Sequence, residues 1–242
     1  IGYVFLNPSN RKYGLELFSV FTDKSWAKRL LTLSVPVMID KATVALTYIW
    51  LSKMLCIMGK QGAAAFSVIK DMERFSILPA VAFAQIVTLL VSNDYGGHNW
   101  VGIKSNIKKI LLLTGCMVLV IVLFLSFFTE SVVQLFDKKD KFTQLASFAF
   151  PFLGVLVFFD VLQLVLAGAL RATGNVRLVM VVRVAVFICF FIPVSYLIAS
   201  LDIAHQGVQF VLIYGTFYVG CAIMSLVFIQ RFRGQKWKTK II

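Results

Sequence analysis

Charged residues are scarce in this chain of 242 residues: Asp, Glu, Lys and Arg make up 14% of it, whereas hydrophobic residues make up 60%. Soluble globular proteins carry about 25% charged and 45–50% apolar residues. A water-soluble fold of this length has too small an interior to bury so much apolar surface, whereas a lipid bilayer accepts it. The length allows about six spans of roughly 20 residues each. The composition therefore predicts a polytopic membrane protein rather than a soluble enzyme.

The residues that usually build metal centres and nucleophilic sites are equally few. Each cysteine stands alone in an apolar run, the two histidines fall in loops, and no CxxC, GxxxxGK[ST], GxSxG or HExxH pattern occurs. We therefore expect no enzyme, no cofactor and no ATP-driven motor, and we interpret the cysteines as small apolar packing residues. The residues concerned are Cys56, Cys116, Cys189, Cys221, His98 and His205.

Six apolar runs of membrane-crossing length are present instead. They lack the period-two alternation of a membrane barrel, and irregular backbone cannot face lipid, so the predicted fold is an all-α bundle of six transmembrane helices. Prolines at four places in the runs predict helix kinks: Pro36, Pro79, Pro151 and Pro193. The predicted spans are 33–58, 63–93, 108–128, 143–168, 178–200 and 207–230. Together they form one domain, 33–231, between a cytoplasmic linker with a surface helix, 1–32, and a basic cytoplasmic tail, 232–242.

The basic residues predict the orientation of this bundle. Counted over alternate connections, fifteen Lys and Arg residues lie on the side of both termini and four on the other side. Lys and Arg are enriched in cytoplasmic loops, so both termini are predicted to be cytoplasmic. The net charge of +13 is then interpreted as attraction to anionic membrane lipid rather than to nucleic acid. Because the chain begins at Ile1 without a signal peptide pattern, we expect it to be a fragment of a longer protein.

Polar residues within the spans are the candidate functional residues, since a charge in hydrocarbon costs at least a few kcal/mol. Asp160 is the sharpest candidate, because no cationic residue is near it in the sequence and a carboxylate there could bind Na⁺ or a proton. Gln163, three residues later, could supply a neutral oxygen or donor. The alternative is a protonated Asp160 that bonds a neighbouring helix. Asp40 and Lys41, just after Pro36, either join a polar cavity or pair with other helices.

A second group of charges precedes the apolar run of the second span. Lys70 with Glu73, and Asp71 with Arg74, have the i,i+3 spacing of side-chain pairs on a helix surface. We predict that they neutralise one another, with Glu73 as a further candidate for the cavity lining. Arg183 and Lys53 lie near the ends of spans and are predicted to extend to the lipid headgroups without a special role.

Several segments resemble one transporter family. GALRATGNVR at 168–177 is similar to a GALRGAGDTR-type turn of the MATE (multidrug and toxic compound extrusion) transporters, and FFDVLQ matches the acidic-plus-Gln pattern before it. SVPVMIDK at 34–41 resembles the entry to that family's seventh helix, 72–99 its eighth helix and following loop, and RFRGQKWK at 231–238 its end. The resemblance covers the chain in order and implies the C-terminal six-helix lobe of a twelve-helix transporter.

The resemblance implies a cation-coupled antiporter, using Na⁺ or H⁺, that exports drugs or organic metabolites by alternating access from a bacterial inner membrane. It implies an ion-coupling site at Asp160, Gln163, Asp40 and Glu73, with Asp160 as the Na⁺ ligand if Na⁺ is used. The partners implied are membrane lipid, a cationic or amphipathic organic substrate, and an absent N-terminal lobe. Many members carry a Glu where this chain has Val44. A flippase for lipid-linked precursors and a non-functional half remain as alternatives.

Overall fold

The computed structural model describes residues 24–137, 142–201, 203, 205–234 and 237. Six helices in this part of the chain are long and apolar enough to cross a membrane, no strand occurs in it, and the predicted all-α six-helix bundle is confirmed. A short helix, α4, lies between the third and fourth spans. The helices are α1 Lys24–Cys56, α2 Lys60–Gly96, α3 Trp100–Phe127, α4 Thr129–Gln134, α5 Thr143–Ala172, α6 Val176–Ser200 and α7 Gln206–Arg233.

Several helices extend beyond the apolar runs that identified them. The α3 helix begins at Trp100 because Asn99 caps it, its side-chain oxygen accepting from the Gly102 backbone N–H at 3.0 Å. The α5 helix continues to Ala172, so the turn expected within 168–177 is shorter than that segment. The true turn is Thr173 to Asn175, where Gly174 has a φ of +79°, which glycine adopts most easily.

The chain divides after Val35 into two units, and every contact described below lies within the second unit, Pro36–Ile242. Some predictions concern residues outside the described ranges and stay predictions. These residues are the linker up to residue 23, the basic loop residues Lys138, Lys139 and Lys141, and most of the tail, namely 235, 236 and 238–242.

The α5 and α7 helices are the inner helices of the bundle. More than half of the apolar window of each is buried by protein, against 28% or less for the other spans. Gly168 allows α2 to approach α5 closely, because a Cβ there would lie 2.8 Å from the backbone oxygen of Ala84. Large apolar side chains on the outer surfaces are exposed, such as Leu89 and Phe127, as expected for faces that contact lipid.

The α6 helix changes its winding in the middle of the span. Regular helix over Val176–Val186 gives way to a π-helical turn at Phe187–Phe191, and Ile192–Ser200 continues as α-helix. Pro193 lies just after this turn and has no N–H to give to the helix. The other three prolines predicted to kink a span lie inside helices that are assigned without interruption: Pro36, Pro79 and Pro151.

Candidate functional site

Asp40 forms ion pairs that connect three helices inside the bundle. Its side chain is buried, and its two oxygens accept hydrogen bonds from Arg171 Nη2 at 2.6 Å and Arg183 Nε at 2.5 Å. The arginines come from α5 and α6, whereas Asp40 comes from α1. Of the two outcomes left open for Asp40, the structure therefore has the pairing with other helices. The prediction that Arg183 extends to the lipid headgroups was wrong, because this ion pair holds it inside.

Gln163 links this ion pair to Asp160. Its amide orientation follows from its neighbours: the nitrogen donates to Asp160 Oδ1 at 3.3 Å, and the oxygen accepts from an Arg183 nitrogen at 2.5 Å. The Cys221 thiol of α7 also points to Asp160 Oδ1, at 3.6 Å. Asp160 itself is only partly buried, whereas Gln163 and Cys221 are inaccessible. We call Asp40, Asp160, Gln163, Arg171 and Arg183 the ion-pair cluster.

The ion-pair cluster is balanced in charge when both acids are ionised. It holds two carboxylates, Asp40 and Asp160, and two guanidinium groups, Arg171 and Arg183. Arg183 is also near enough to Asp160 for its charge to act on that carboxyl group. Asp160 lies twelve residues before the end of α5, which is roughly 18 Å at 1.5 Å per residue. The ion-pair cluster therefore extends from Arg171, in the last turn of α5, to Asp160 near the middle of the span, where an excess charge is most costly.

Glu73 is held by tyrosines instead of by a cation. It is buried, and its two carboxylate oxygens accept hydrogen bonds from the hydroxyl groups of Tyr214 and Tyr218. The tyrosines are one helical turn apart on α7 and therefore lie on the same face. The charge of Asp160 acts on Glu73 as well, so the two acids are electrostatic neighbours. Thus all four predicted site residues lie in one polar region between α1, α2, α5, α6 and α7.

The predicted mutual neutralisation of Lys70, Asp71, Glu73 and Arg74 was wrong. Among the described residues the only ion pairs are those of Asp40. Glu73 turns inward to the tyrosines, whereas Lys70 leans over the rings of Tyr48 and Phe66, with Nζ 4.8 Å and 5.6 Å from their centroids. Asp71 and Arg74 are exposed. A buried carboxylate gains more from two directed hydrogen bonds than from a pair on the helix surface.

Two cavities adjoin this polar region. The smaller one has about 30 Å³ beside Arg183, room for about one water molecule, and is lined by α1, α7 and the π-helical turn of α6. The larger one is an open groove of about 450 Å³ between α1 and α2, and its walls include Tyr48, Phe66 and Lys70. We call the larger one the aromatic groove.

The surroundings of Asp160 do not fit a sodium ion. Hard cations take several oxygen ligands, but Asp160 is faced by an S–H, by the amide N–H of Gln163 and by the charge of Arg183. In the described part of the chain, no group of three or more His, Cys, Asp or Glu residues could hold a metal. The donors instead suit a carboxylate that alternates between ionised and protonated forms.

Sequence reasoning missed the partners of the predicted acids. Arg171 was assigned to a turn and Arg183 to the headgroups, although both lie inside helices that continue past the apolar run. The Tyr214 and Tyr218 pair did carry a signal, since two hydroxyl groups at i,i+4 in an apolar span point to one acceptor. Cys221 was interpreted as packing only. The other three cysteines are exposed on the outside of the bundle: Cys56, Cys116 and Cys189.

A six-helix bundle with membrane-crossing helices and a polar interior of acids and arginines defines an integral membrane protein. Comparison with known proteins gives the family. The family model described as MatE matches residues 36–197, and the chain belongs to that family.

Three relatives are distant from this chain in sequence and longer than it. The chain is similar to the "Probable multidrug resistance protein NorM" of Thermotoga maritima, with 22% identity over 148 residues, which is 61% of this chain and 32% of that protein. The fold matches the Vibrio cholerae MATE transporter VcmN in its bent form with a TM-score of 0.79, at 14% identity, over 96% of this chain and 52% of that one.

A MOP superfamily transporter from Pyrococcus furiosus matches with a TM-score of 0.81, at 15% identity, over 97% of this chain and 53% of that one. The chain thus spans about a third of the curated relative and about half the length of these solved structures.

Proposed function

We propose that the chain is one lobe of a secondary active transporter that exports an amphipathic organic solute in exchange for protons. The proposal rests on the hydrogen-bond partners of Asp160 and on the partial exposure of its side chain. Asp40 is bound by two arginines and Glu73 by two tyrosine hydroxyl groups. The hydrogen-bond contacts of Asp160 are longer, 3.3 Å from Gln163 and 3.6 Å from Cys221, and its side chain is partly open. Asp160 is therefore the acid best able to exchange a proton with water. Proton exchange of this kind needs no enzymatic chemistry.

Arg183 gives proton binding at Asp160 a structural effect. With Asp160 ionised, the positive charge of Arg183 is shared between two carboxylates. When Asp160 is protonated, only Asp40 attracts Arg183, and the ion-pair cluster gains one net positive charge. A ligand shifts a conformational equilibrium only if it interacts differently with the two states. The position of Arg183 between two acids supplies that difference.

The α6 helix is the element that can respond. Arg183 lies before its π-helical turn, and Ser195 after the turn accepts a hydrogen bond from Trp50 Nε1 of α1 at 2.9 Å. The α6 helix is thus fastened to α1 on both sides of a segment whose regular hydrogen bonding is already interrupted. The cavity beside Arg183 gives the guanidinium space to move. We propose that this part of α6 adjusts when Asp160 exchanges its proton.

We propose that the aromatic groove forms one wall of the substrate path. Tyr48 and Phe66 offer ring faces, and they already hold the Lys70 ammonium group at cation–π distance. Such a wall suits a substrate with an aromatic or cationic part. Because the chain spans half the length of the MATE structures it matches, we propose a second six-helix lobe as the other wall. The multidrug resistance protein of Thermotoga maritima supports a broad organic substrate class.

A flippase for lipid-linked precursors is less well supported. Such a protein needs free cations in its cavity to hold a diphosphate. The two arginines of the ion-pair cluster are both bound to Asp40 and are not free for this role. We propose a bacterial inner membrane for the transporter. The distribution of Lys and Arg supports a cytoplasmic position for both termini.

The test is gradient-driven efflux by the protein expressed from its complete gene and reconstituted in proteoliposomes. A fluorescent organic cation such as ethidium is loaded, and a pH gradient or a Na⁺ gradient is imposed. We expect the pH gradient to drive efflux in the wild type and the Na⁺ gradient to have no effect. Asp160→Asn keeps the shape of the side chain but holds no exchangeable proton, so we expect at least a tenfold loss of efflux.

The matched control is Asp94→Asn, which alters an acid in the last turn of α2, outside the ion-pair cluster, and should leave efflux unchanged. Both variants are first checked for expression and membrane insertion. Wild-type efflux in Asp160→Asn would remove Asp160 from the coupling mechanism. Efflux that follows only the Na⁺ gradient would contradict proton exchange.

A further inference from the structure

Three basic side chains surround an apolar groove at the end of the bundle where α7 finishes. Lys104 and Lys108 of α3 and Arg233 of α7 line a groove of about 350 Å³, together with apolar residues of α3, α5 and α7. We call it the basic groove. It lies outside the ion-pair cluster and outside the aromatic groove, and the proposed transport mechanism does not use it.

No acid in the described part of the chain forms an ion pair with these three cations. Lys104 and Lys108 are four residues apart, so they lie on one face of α3, and all three side chains are exposed. The acid at this end of the bundle, Asp94, accepts instead from the side chains of Asn99 and Asn106, at 3.3 and 2.7 Å. Positive charges grouped in this way favour an anion among them.

The floor of the basic groove is apolar. It is formed by side chains such as Leu111, Leu166 and Ile229, of which Leu166 is buried. A free anion gains nothing from these side chains, because they offer no hydrogen bonds. A ligand with an anionic head and a hydrocarbon chain can satisfy the cations and the floor together.

An aromatic cluster indicates the depth of the basic groove in the membrane. Phe232 lines the groove and packs on Trp237, with ring centroids 5.6 Å apart, and Trp237 packs on Trp100 at 5.5 Å. Tyr95 also packs on Trp100, with ring centroids 5.6 Å apart. Trp and Tyr are enriched at the headgroup level of membranes. The cations therefore lie at the depth of lipid phosphates, and the apolar floor continues towards the hydrocarbon.

We propose that the basic groove binds one anionic phospholipid, with its phosphate between Lys104, Lys108 and Arg233 and an acyl chain along the apolar floor. This site is distinct from the coupling site, and its occupation would hold the ends of α3 and α7 together. The ligand class follows from the combination of three cations, an apolar floor and the interfacial depth.

The test is native mass spectrometry of the delipidated protein in a neutral detergent. The probes are phosphatidylglycerol and phosphatidylcholine with the same acyl chains. We expect one phosphatidylglycerol to bind with clear preference over phosphatidylcholine. Because one Lys or Arg near lipid contributes about 1 kcal/mol, which is about fivefold in affinity, we expect Lys104→Gln/Lys108→Gln/Arg233→Gln to lower the affinity about a hundredfold.

Lys109→Gln is the matched control, because Lys109 is an exposed neighbour on the same helix that does not line the groove. It should keep the wild-type affinity. A loss as large in Lys109→Gln as in Lys108→Gln would mean attraction by net charge alone and would overturn the site. Equal binding of the two lipids would also overturn it.

A second arm distinguishes a lipid from a simple anion. Inorganic phosphate at millimolar concentration is added as competitor, and dihexanoyl phosphatidylglycerol is compared with the long-chain lipid. We expect phosphate to displace little of the long-chain lipid and the short-chain lipid to bind at least tenfold more weakly. Complete displacement by phosphate, or equal affinity for both chain lengths, would contradict an acyl chain on the floor.

Discussion

Asp40 shows how much a single buried residue can hold in place. Its carboxylate satisfies two arginines from different helices, of which Arg183 is nearly buried and Arg171 about a fifth exposed. Replacing a buried pair by apolar residues is often neutral, whereas removing one partner leaves an uncompensated charge. Asp40 has two such partners, so we infer that replacing it weakens the packing of both α5 and α6.

We expect Asp40→Asn to destabilise the protein by about 3 kcal/mol, because two guanidinium groups lose their counter-ion. The measurement is the Tm of the detergent-solubilised protein, followed by tryptophan fluorescence. Asp71→Asn makes the same change at an exposed acid of α2 and should have little effect. Equal Tm shifts in the two variants would show that the ion pairs do not stabilise the bundle.

The buried carboxylate of Glu73 is stabilised by hydrogen bonds from two tyrosines. Hydrogen bonds to charged groups contribute about 1.5–3 kcal/mol each, so we expect Tyr218→Phe to lower stability by about 2 kcal/mol. In a Glu73→Met background, where no carboxylate remains, the same change should cost much less. If Tyr218→Phe lowers the stability equally with and without Glu73→Met, then packing of the Tyr218 ring, and not its hydrogen bond to Glu73, stabilises the protein.

At the scale of helices, the bundle depends on small residues where helices approach closely. The α2 and α5 helices meet at Gly168, where the carbonyl oxygen accepts from the Thr88 hydroxyl at 3.2 Å. A Cβ at Gly168 would lie 2.8 Å from the backbone oxygen of Ala84 and 3.1 Å from Thr88 Oγ1. Because a backbone atom cannot rotate away, the two helices would have to separate.

We therefore expect Gly168→Ala to destabilise the protein by about 1–3 kcal/mol. Gly115→Ala is the control, since a Cβ there meets nothing within 4 Å and α3 would lose only the conformational freedom of a glycine. The Tm should fall for Gly168→Ala and stay the same or rise slightly for Gly115→Ala. Equal changes in Tm for Gly168→Ala and Gly115→Ala would contradict a close approach of α2 and α5.

The sequence was sufficient to predict the helices but not the partners across them. Continuous apolar runs determine the six spans, because a backbone in lipid has few alternatives. The acids were found because a charge in such a run is conspicuous. The arginines that pair with Asp40 are 131 and 143 residues away from it in the sequence. Pairings over such separations depend on how the helices pack, and the spacing of residues within one helix does not determine that packing.

At the scale of the whole molecule, the orientation in the membrane remains a prediction from charge. The ends of the six helices alternate, so the loop around Glu130 and the loop around His205 lie on one side of the bundle. Lys104, near the start of α3, lies on the other side. We expect Glu130→Cys and His205→Cys, in a background without the native cysteines, to react with an impermeant maleimide from outside intact cells. Lys104→Cys should react only after permeabilisation, and the reverse pattern would invert the predicted topology.

In the proposed mechanism, Asp160 releases its proton when the substrate binds. The direct measurement is proton release from the purified, complete transporter in weakly buffered solution when ethidium is added, followed with a pH-sensitive dye. We expect the wild type to release about one proton per bound substrate. Glu73→Gln should still release it, because the Glu73 carboxylate is held by two tyrosines. Asp160→Asn should bind ethidium and release none. Undiminished proton release from Asp160→Asn would show that the exchanged proton is not on Asp160.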